Sequence, residues 1–284
     1  MKLIYKYIIA LAIISIATTS CQKVIDIDLN SSDPKLVIEG FVNDVDDTAI
    51  VRLNYSVNFD EDNIFPPAEG ALVKIVDSDG IETTLSETVT VEGTPTTITT
   101  TPGLYSAPLL GEVGKTYTLY VTDRGVTYTA TSHLSAPIPL DSIYVSSTGG
   151  FNPPELSSYF MSCEFKDPAG EPNYYRFKQF VNGAENNYIF AGNDNLQDGQ
   201  TIKASLFGSE DGFENGDTIT IQMQMIDEGA CDYLMSLSQL TQDGGGSAVP
   251  TNPRSNIKGG ALGYFSAYSQ VSDTLIVDLS IVSE

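Results

Sequence analysis

The reactive side chains of this chain are few, and they limit its chemistry. His133 is the single histidine, set in Ser132-His133-Leu134-Ser135. A Ser-His-Asp relay could use it in principle, but no G-x-S-x-G elbow accompanies it. The plain reading is a histidine at the end of a strand. One imidazole cannot build a histidine-ligated zinc site, and no Cys-x-x-Cys pair exists for a redox or thiolate-zinc centre. With 37 acidic residues, carboxylate pairs of the kind a glycosidase uses arise by number alone. They cluster in turn-like stretches such as Asp44, Asp46, Asp47 and Asp60, Glu61, Asp62, where solvated loop charge is the default. Calcium takes carboxylate and carbonyl oxygens, and two stretches offer them. These are Asn193-Asp194-Asn195 with Asp198, and Glu210-Asp211 with Glu214 and Asp217. Neither matches the D-x-[DN]-x-[DN]-G loop. The reading is therefore of a protein that is not an enzyme and has no cofactor, with solvated acids the default over calcium.

Binding chemistry has more support. In Tyr174-Tyr175-Arg176-Phe177-Lys178-Gln179-Phe180, strand alternation puts Tyr174, Arg176, Lys178 and Phe180 on one face. Two cations between two aromatics are the residue types enriched at binding hot spots. The competing reading is a solvent face on which Arg176 and Lys178 balance neighbouring acids. A second candidate is the block Asn252 to Phe265. After Asn252, Pro253, Arg254 and Asn256 belong in a loop, and Gly259-Gly260 let the backbone bend or approach something closely. Tyr264 and Phe265 point to opposite faces of a strand. This block is either a loop that closes a domain or a binding loop on a rigid scaffold. Cys163 and Cys231 could form a disulfide in an oxidising compartment, or stay as two separate buried thiols.

Charge excludes other partners. The chain of 284 residues carries 14 Lys+Arg, for a net charge of −23. Phosphate contacts need a basic patch, so a nucleic-acid partner is excluded, as is a polybasic membrane anchor. At 41% hydrophobic and 18% charged residues the chain can build a core.

The N-terminus carries an address. Lys2 and Lys6 precede the apolar run Ile8 to Ala17, which suits a signal peptide and is too short to span a bilayer. Thr18-Thr19-Ser20-Cys21 resembles a bacterial lipobox with Thr18 in place of the usual Leu. The resemblance implies a signal peptide over 1–20, acylation of Cys21 as the lipid anchor, and a tether over 21–33. Acyl chains would hold the protein at the outer membrane. Gln22-Lys23 with Asp26 and Asp28 is loosely similar to Bacteroidota signals for export to the cell surface.

The elements that must position these residues read as strands almost throughout. Lys35–Asn43, Ala49–Val57, Ala71–Val76, Ile81–Leu85, Lys115–Thr122 and Val126–Ser132 alternate or are β-branched, and the Thr-rich stretch 83–101 favours extended chain. Asp79-Gly80 marks a hairpin. This predicts an immunoglobulin-like sandwich over 34–136. Pro137 and Pro139 make 137–140 a short linker. Residues 141–284 then form a second β-rich domain with one helix near 229–241, where Tyr233, Leu237 and Leu240 share a stripe. Gly260–Tyr268 and Asp273–Ser280 are expected as a closing pair of strands. The fold class is all-β with one helix, built as two antiparallel sandwich- or barrel-like domains.

Two resemblances add to this reading. Gly70-Ala71-x-Val73-x-Ile75, Asp79-Gly80, Gly103-x-Tyr105 and Gly114-Lys115-x-Tyr117-x-Leu119 resemble the carboxypeptidase-regulatory or transthyretin-like sandwich. More specifically, Cys21, Val24-Ile25-Asp26-Ile27-Asp28-Leu29, Leu36-Val37-Ile38-Glu39-Gly40, Pro139-x-Asp141-Ser142-Ile143 and Asn252-Pro253 resemble a Bacteroidota outer-membrane lipoprotein family, domain of unknown function 4249. Ser255-Asn256-Ile257-x-Gly259-Gly260 and Leu262-Gly263-Tyr264-Phe265 complete the match. The resemblance implies an accessory or binding component of a TonB-dependent nutrient uptake system, partnered by such a transporter. The alternative is a structural surface protein, a fimbrial subunit or adhesin.

Overall fold

The computed structural model describes residues 33–58, 64–92, 97–147, 159–207, 212–241 and 252–281. The signal peptide, Cys21 and Glu210-Asp211 lie outside them. The described chain is almost all strand. Its first half holds β1 (Leu36–Asn43), β2 (Thr48–Tyr55), β3 (Leu72–Asp77), β4 (Glu82–Glu92), β5 (Thr97–Pro108), β6 (Thr116–Asp123) and β7 (Val126–His133). Its second half holds β8 (Ser142–Ser147), β9 (Tyr159–Lys166), β10 (Tyr174–Val181), β11 (Ala184–Glu185), β12 (Phe190–Asn193), β13 (Thr201–Leu206) and β14 (Thr218–Ile226). The helix α1 (Glu228–Thr241) and β15 (Leu262–Ile276) follow.

Two sheets form. A 12-stranded sheet runs β11-β10-β14-β15-β1-β2-β5-β4-β3-β6-β7, with β12 also on β10, and a three-stranded sheet runs β13-β9-β8. Local chemistry explains the regular parts. In β1, Leu36, Ile38, Gly40 and Val42 are buried in alternation. The β3–β4 turn closes as Asp79-Gly80 suggests, with the Asp77 side chain accepting the Ile81 N–H at 2.8 Å. The helix starts where the Asp227 carboxylate accepts the Ala230 N–H at 3.0 Å, an N-cap that satisfies one of the free donors of the first turn.

The chain end departs from the expected closing pair. Leu262–Ile276 is one continuous strand of 15 residues. It pairs in parallel with β1 from Leu262 to Tyr268, then antiparallel with β14 from Ser269 to Ile276. No Gly or Pro interrupts Ser269 to Ser272, so nothing in the local sequence turns the chain. The partner changes instead, and the Asp44 carboxylate takes the Gln270 N–H at 3.0 Å at the crossing point. The large sheet is therefore continuous from the second half into the first.

Three apolar clusters fill the fold. One gathers residues between Leu36 and Leu134 and also takes Ile257, Ala261, Phe265 and Ala267. A second runs from Ile138 through Met161, Cys163 and Phe165 to the odd-numbered residues Ile219, Ile221, Met223 and Met225 of β14. A third lies under α1, with Ile226, Cys231, Leu234 and Tyr268.

The β1–β15 pairing depends on Gly263. Its φ is +95°, and a Cβ there would sit 2.0 Å from the Ile38 carbonyl oxygen. A Gly263→Ala variant must break this contact and adopt a disfavoured backbone. It should lose about 3 kcal/mol or more of stability, read from its unfolding midpoint in denaturant.

Candidate functional site

The register of β10, β14, β15 and β1 builds one polar face. Arg176 pairs with Gln224, and Gln224 pairs with Gln270. Lys178 pairs with Gln222, and Gln222 with Ser272. Along β15, Ser266 lies opposite Phe41 and Tyr264 opposite Glu39. Alternation sends these side chains to the same side of the sheet, away from the second core. α1 covers one end of that side.

A pocket of about 170 Å³ opens there, lined by Phe41, Arg176, Lys178, Gln224, Ile226, Leu234, Tyr264, Ser266 and Tyr268. Arg176 donates from Nη1 to the Tyr264 hydroxyl at 3.2 Å. Tyr264 stacks on Tyr233 of α1 with ring centroids 4.8 Å apart. Lys178 is held by Glu185 at 2.8 Å. Burial pushes the Tyr268 hydroxyl up to about 12. Two buried atoms of these lining residues, Gln224 Oε1 and Ser266 Oγ, have no hydrogen-bond partner among the described residues. Leaving such groups unpaired costs about 1–3 kcal/mol each. The arrangement can hold a small solute carrying an acidic group and hydroxyl or amine donors.

The expected site residues divide. The structure brings Arg176, Lys178 and Tyr264 together in this pocket. Tyr174 sits beside it against the core under the helix, and Phe180 lies further along β10, its ring 6.0 Å from Lys178 Nζ. The rest of the Asn252–Phe265 block lies outside this pocket. Asn252 and Arg254 are exposed, and the Arg254 N–H binds Ser236 Oγ of α1 at 2.9 Å. The Asn256 side chain accepts the Phe265 N–H at 3.0 Å and donates to its carbonyl at 2.8 Å, standing in for a strand. Gly259 lets the chain pass Tyr128, where a Cβ would lie 2.9 Å from the ring. Gly260 is exposed, and Phe265 is wholly buried in the first core. Phe41, Gln224, Ile226, Leu234, Ser266 and Tyr268 complete the pocket, and the sequence does not single them out as site residues. A signal for Gln224 existed: Gln222 and Gln224 alternate with methionines in an otherwise apolar strand.

Other candidates resolve differently. Ser132 donates to the Asp227 carboxylate and accepts the Ala267 N–H at 2.7 Å. His133 points to the other face of β7 and meets Thr116 Oγ1 at 3.2 Å, so no relay forms. Asp217 organises a turn, accepting from Glu214 N at 2.8 Å and Asn182 Nδ2 at 2.9 Å, and these bonds lower its pKa.

Of the two readings of the cysteines, the structure supports separate buried thiols. Cys163 and Cys231 are both free and buried. Cys163 belongs to the second core and Cys231 to the core under α1, so the large sheet lies between them. Burial pushes each thiol up to about 12, which suppresses the reactive thiolate. Both should alkylate fully in denaturant without reductant, and hardly at all in the native state, as read by mass spectrometry.

Asp227 gives a pH test. Burial raises its pKa, so its contribution to stability is present below the ordinary carboxyl range and is lost as pH rises through the raised value. Asp227→Asn keeps the cap and removes that loss. Its stability should fall less than the parent's between acidic and neutral pH in denaturant titrations, while Ser132→Ala should cost about 1–2 kcal/mol.

A family model described as a domain of unknown function (DUF4249) matches residues 22–274. No curated protein matches the chain. Among solved structures, the crystal structure of pullulanase complexed with maltotriose from Anoxybacillus sp. LM18-11 aligns over 66% of this chain at 12% identity with a TM-score of 0.20. The chain spans 24% of that protein, and the likeness carries no argument.

Proposed function

The chain belongs to the DUF4249 family, and from that premise we propose that it is an outer-membrane lipoprotein serving a TonB-dependent nutrient uptake system as its accessory or binding component. Family membership is consistent with a membrane- or surface-associated protein. Acylated Cys21 supplies the anchor, and the strand-rich body faces the cell surface. The observation that carries the binding role is the pocket where Arg176, Lys178 and Tyr264 meet the unpartnered Gln224 Oε1 and Ser266 Oγ. In a chain of net charge −23, Arg176, with Lys178 shared with Glu185 beside it, makes a local site for an anionic solute.

Affinity purification of the tagged lipoprotein from detergent-solubilised outer membrane, after crosslinking, tests the reading. A stoichiometric TonB-dependent transporter is the expected companion. Recovery of the protein alone, or as homopolymers, overturns the proposal in favour of a free-standing surface or adhesive role. The Arg176→Ala, Lys178→Ala variant should fold, because neither side chain is in a core. It should bind the transported solute about tenfold more weakly or worse, measured by calorimetry.

A further inference from the structure

The loop after β12 and the end of β9 bring three carboxylates to one point. Oxygens of Asp167, Asp194 and Asp198 all lie within 4.8 Å of one another. Asp167 and Asp194 are only 2% and 3% exposed. Like charges held this close in a buried place repel strongly unless something positive joins them. No ion pair among the described residues engages any of the three. The nearby cation Lys166 donates instead to the Gly199 carbonyl at 2.5 Å.

A separate observation points to a ligand. Asp167 accepts from the Tyr175 hydroxyl and from Gly199 N at 2.7 Å, and Asp198 accepts from Gly170 N at 2.7 Å. The Asp194 carboxylate accepts no hydrogen bond from any described residue, although its side chain is buried and directed at the other two. A buried acceptor without a donor requires a partner.

We propose that Asp167, Asp194 and Asp198 bind a calcium ion. Calcium takes oxygen ligands at about 2.3–2.6 Å, so two ligands on opposite sides of one ion lie about 4.6–5.2 Å apart, a span that accommodates this cluster. Magnesium demands a tighter octahedron and keeps most of its waters, which three carboxylates from separate chain segments do not suit. Asp198 is exposed, so ion and waters reach the site from its side. Asp167 follows a strand of the small sheet and Asp194 a strand of the large one. The ion therefore ties the two sheets together, alongside the Tyr175–Asp167 hydrogen bond. This inference does not depend on the proposed transport role.

The test is a melt of the purified full chain, stripped with chelator and then given millimolar CaCl₂ or MgCl₂, with calorimetric titration of the same ions. Calcium should raise the midpoint by about 4 °C or more and bind with one-to-one stoichiometry. Asp194→Asn should abolish both effects, and Asp198→Asn, at an exposed position that folding tolerates, should weaken calcium binding tenfold or more. Absence of calcium heat and of any midpoint shift overturns the proposal. An equal response to magnesium, or undiminished binding by the Asp198→Asn variant, overturns it as well.

Discussion

The parallel pairing of β15 with β1 is the constraint on which the rest of the structure depends. Parallel neighbours need a long crossover, and here the crossover is nearly the whole described chain. The pairing brings Phe265 and Ala267 into the first core while the other end of the same strand completes the second. It tolerates no side chain at residue 263, because the backbone of β1 occupies that space. Contacts this distant in sequence form slowly, because loop closure must be met before they reward it.

That pairing also creates the pocket. Its walls come from β1, β10, β14, β15 and α1, and no two neighbouring elements could form it alone. Phe41 reaches it only because β1 lies beside β15, and Arg176 only because β14 separates β10 from β15 by a single strand. The polar groups left unpaired there sit among side chains that are otherwise satisfied. The Ser132–Asp227 contact shows the opposite solution nearby. There a buried carboxylate is matched by a hydroxyl and by the first turn of the helix.

Charge is distributed with the same logic. The acids lie mainly in turns and on exposed faces, where water screens them. Several of those withdrawn from water have identifiable roles: Asp44 holds the strand at its change of partner, Asp227 caps the helix, and Asp167 joins the two sheets through Tyr175. The cations of β10 face the pocket and the acids beside it.

Strand alternation, the Asp79-Gly80 turn and the helical stripe from Tyr233 to Leu240 made the elements and the all-β class legible, because burial on one face acts on residues close in sequence. The split of β10 into a buried face and a cationic face was legible for the same reason. The sequence by itself thus determined the elements, the faces they present and the scarcity of reactive groups. Only the tertiary structure decided that β15 is one strand serving two partners, that Asn256 and Gly259 are structural, that a sheet separates the two thiols, and that Asp167 stands beside Asp194 and Asp198. Each of these is set by contacts between residues far apart along the chain, where neither periodicity nor local turn chemistry carries information.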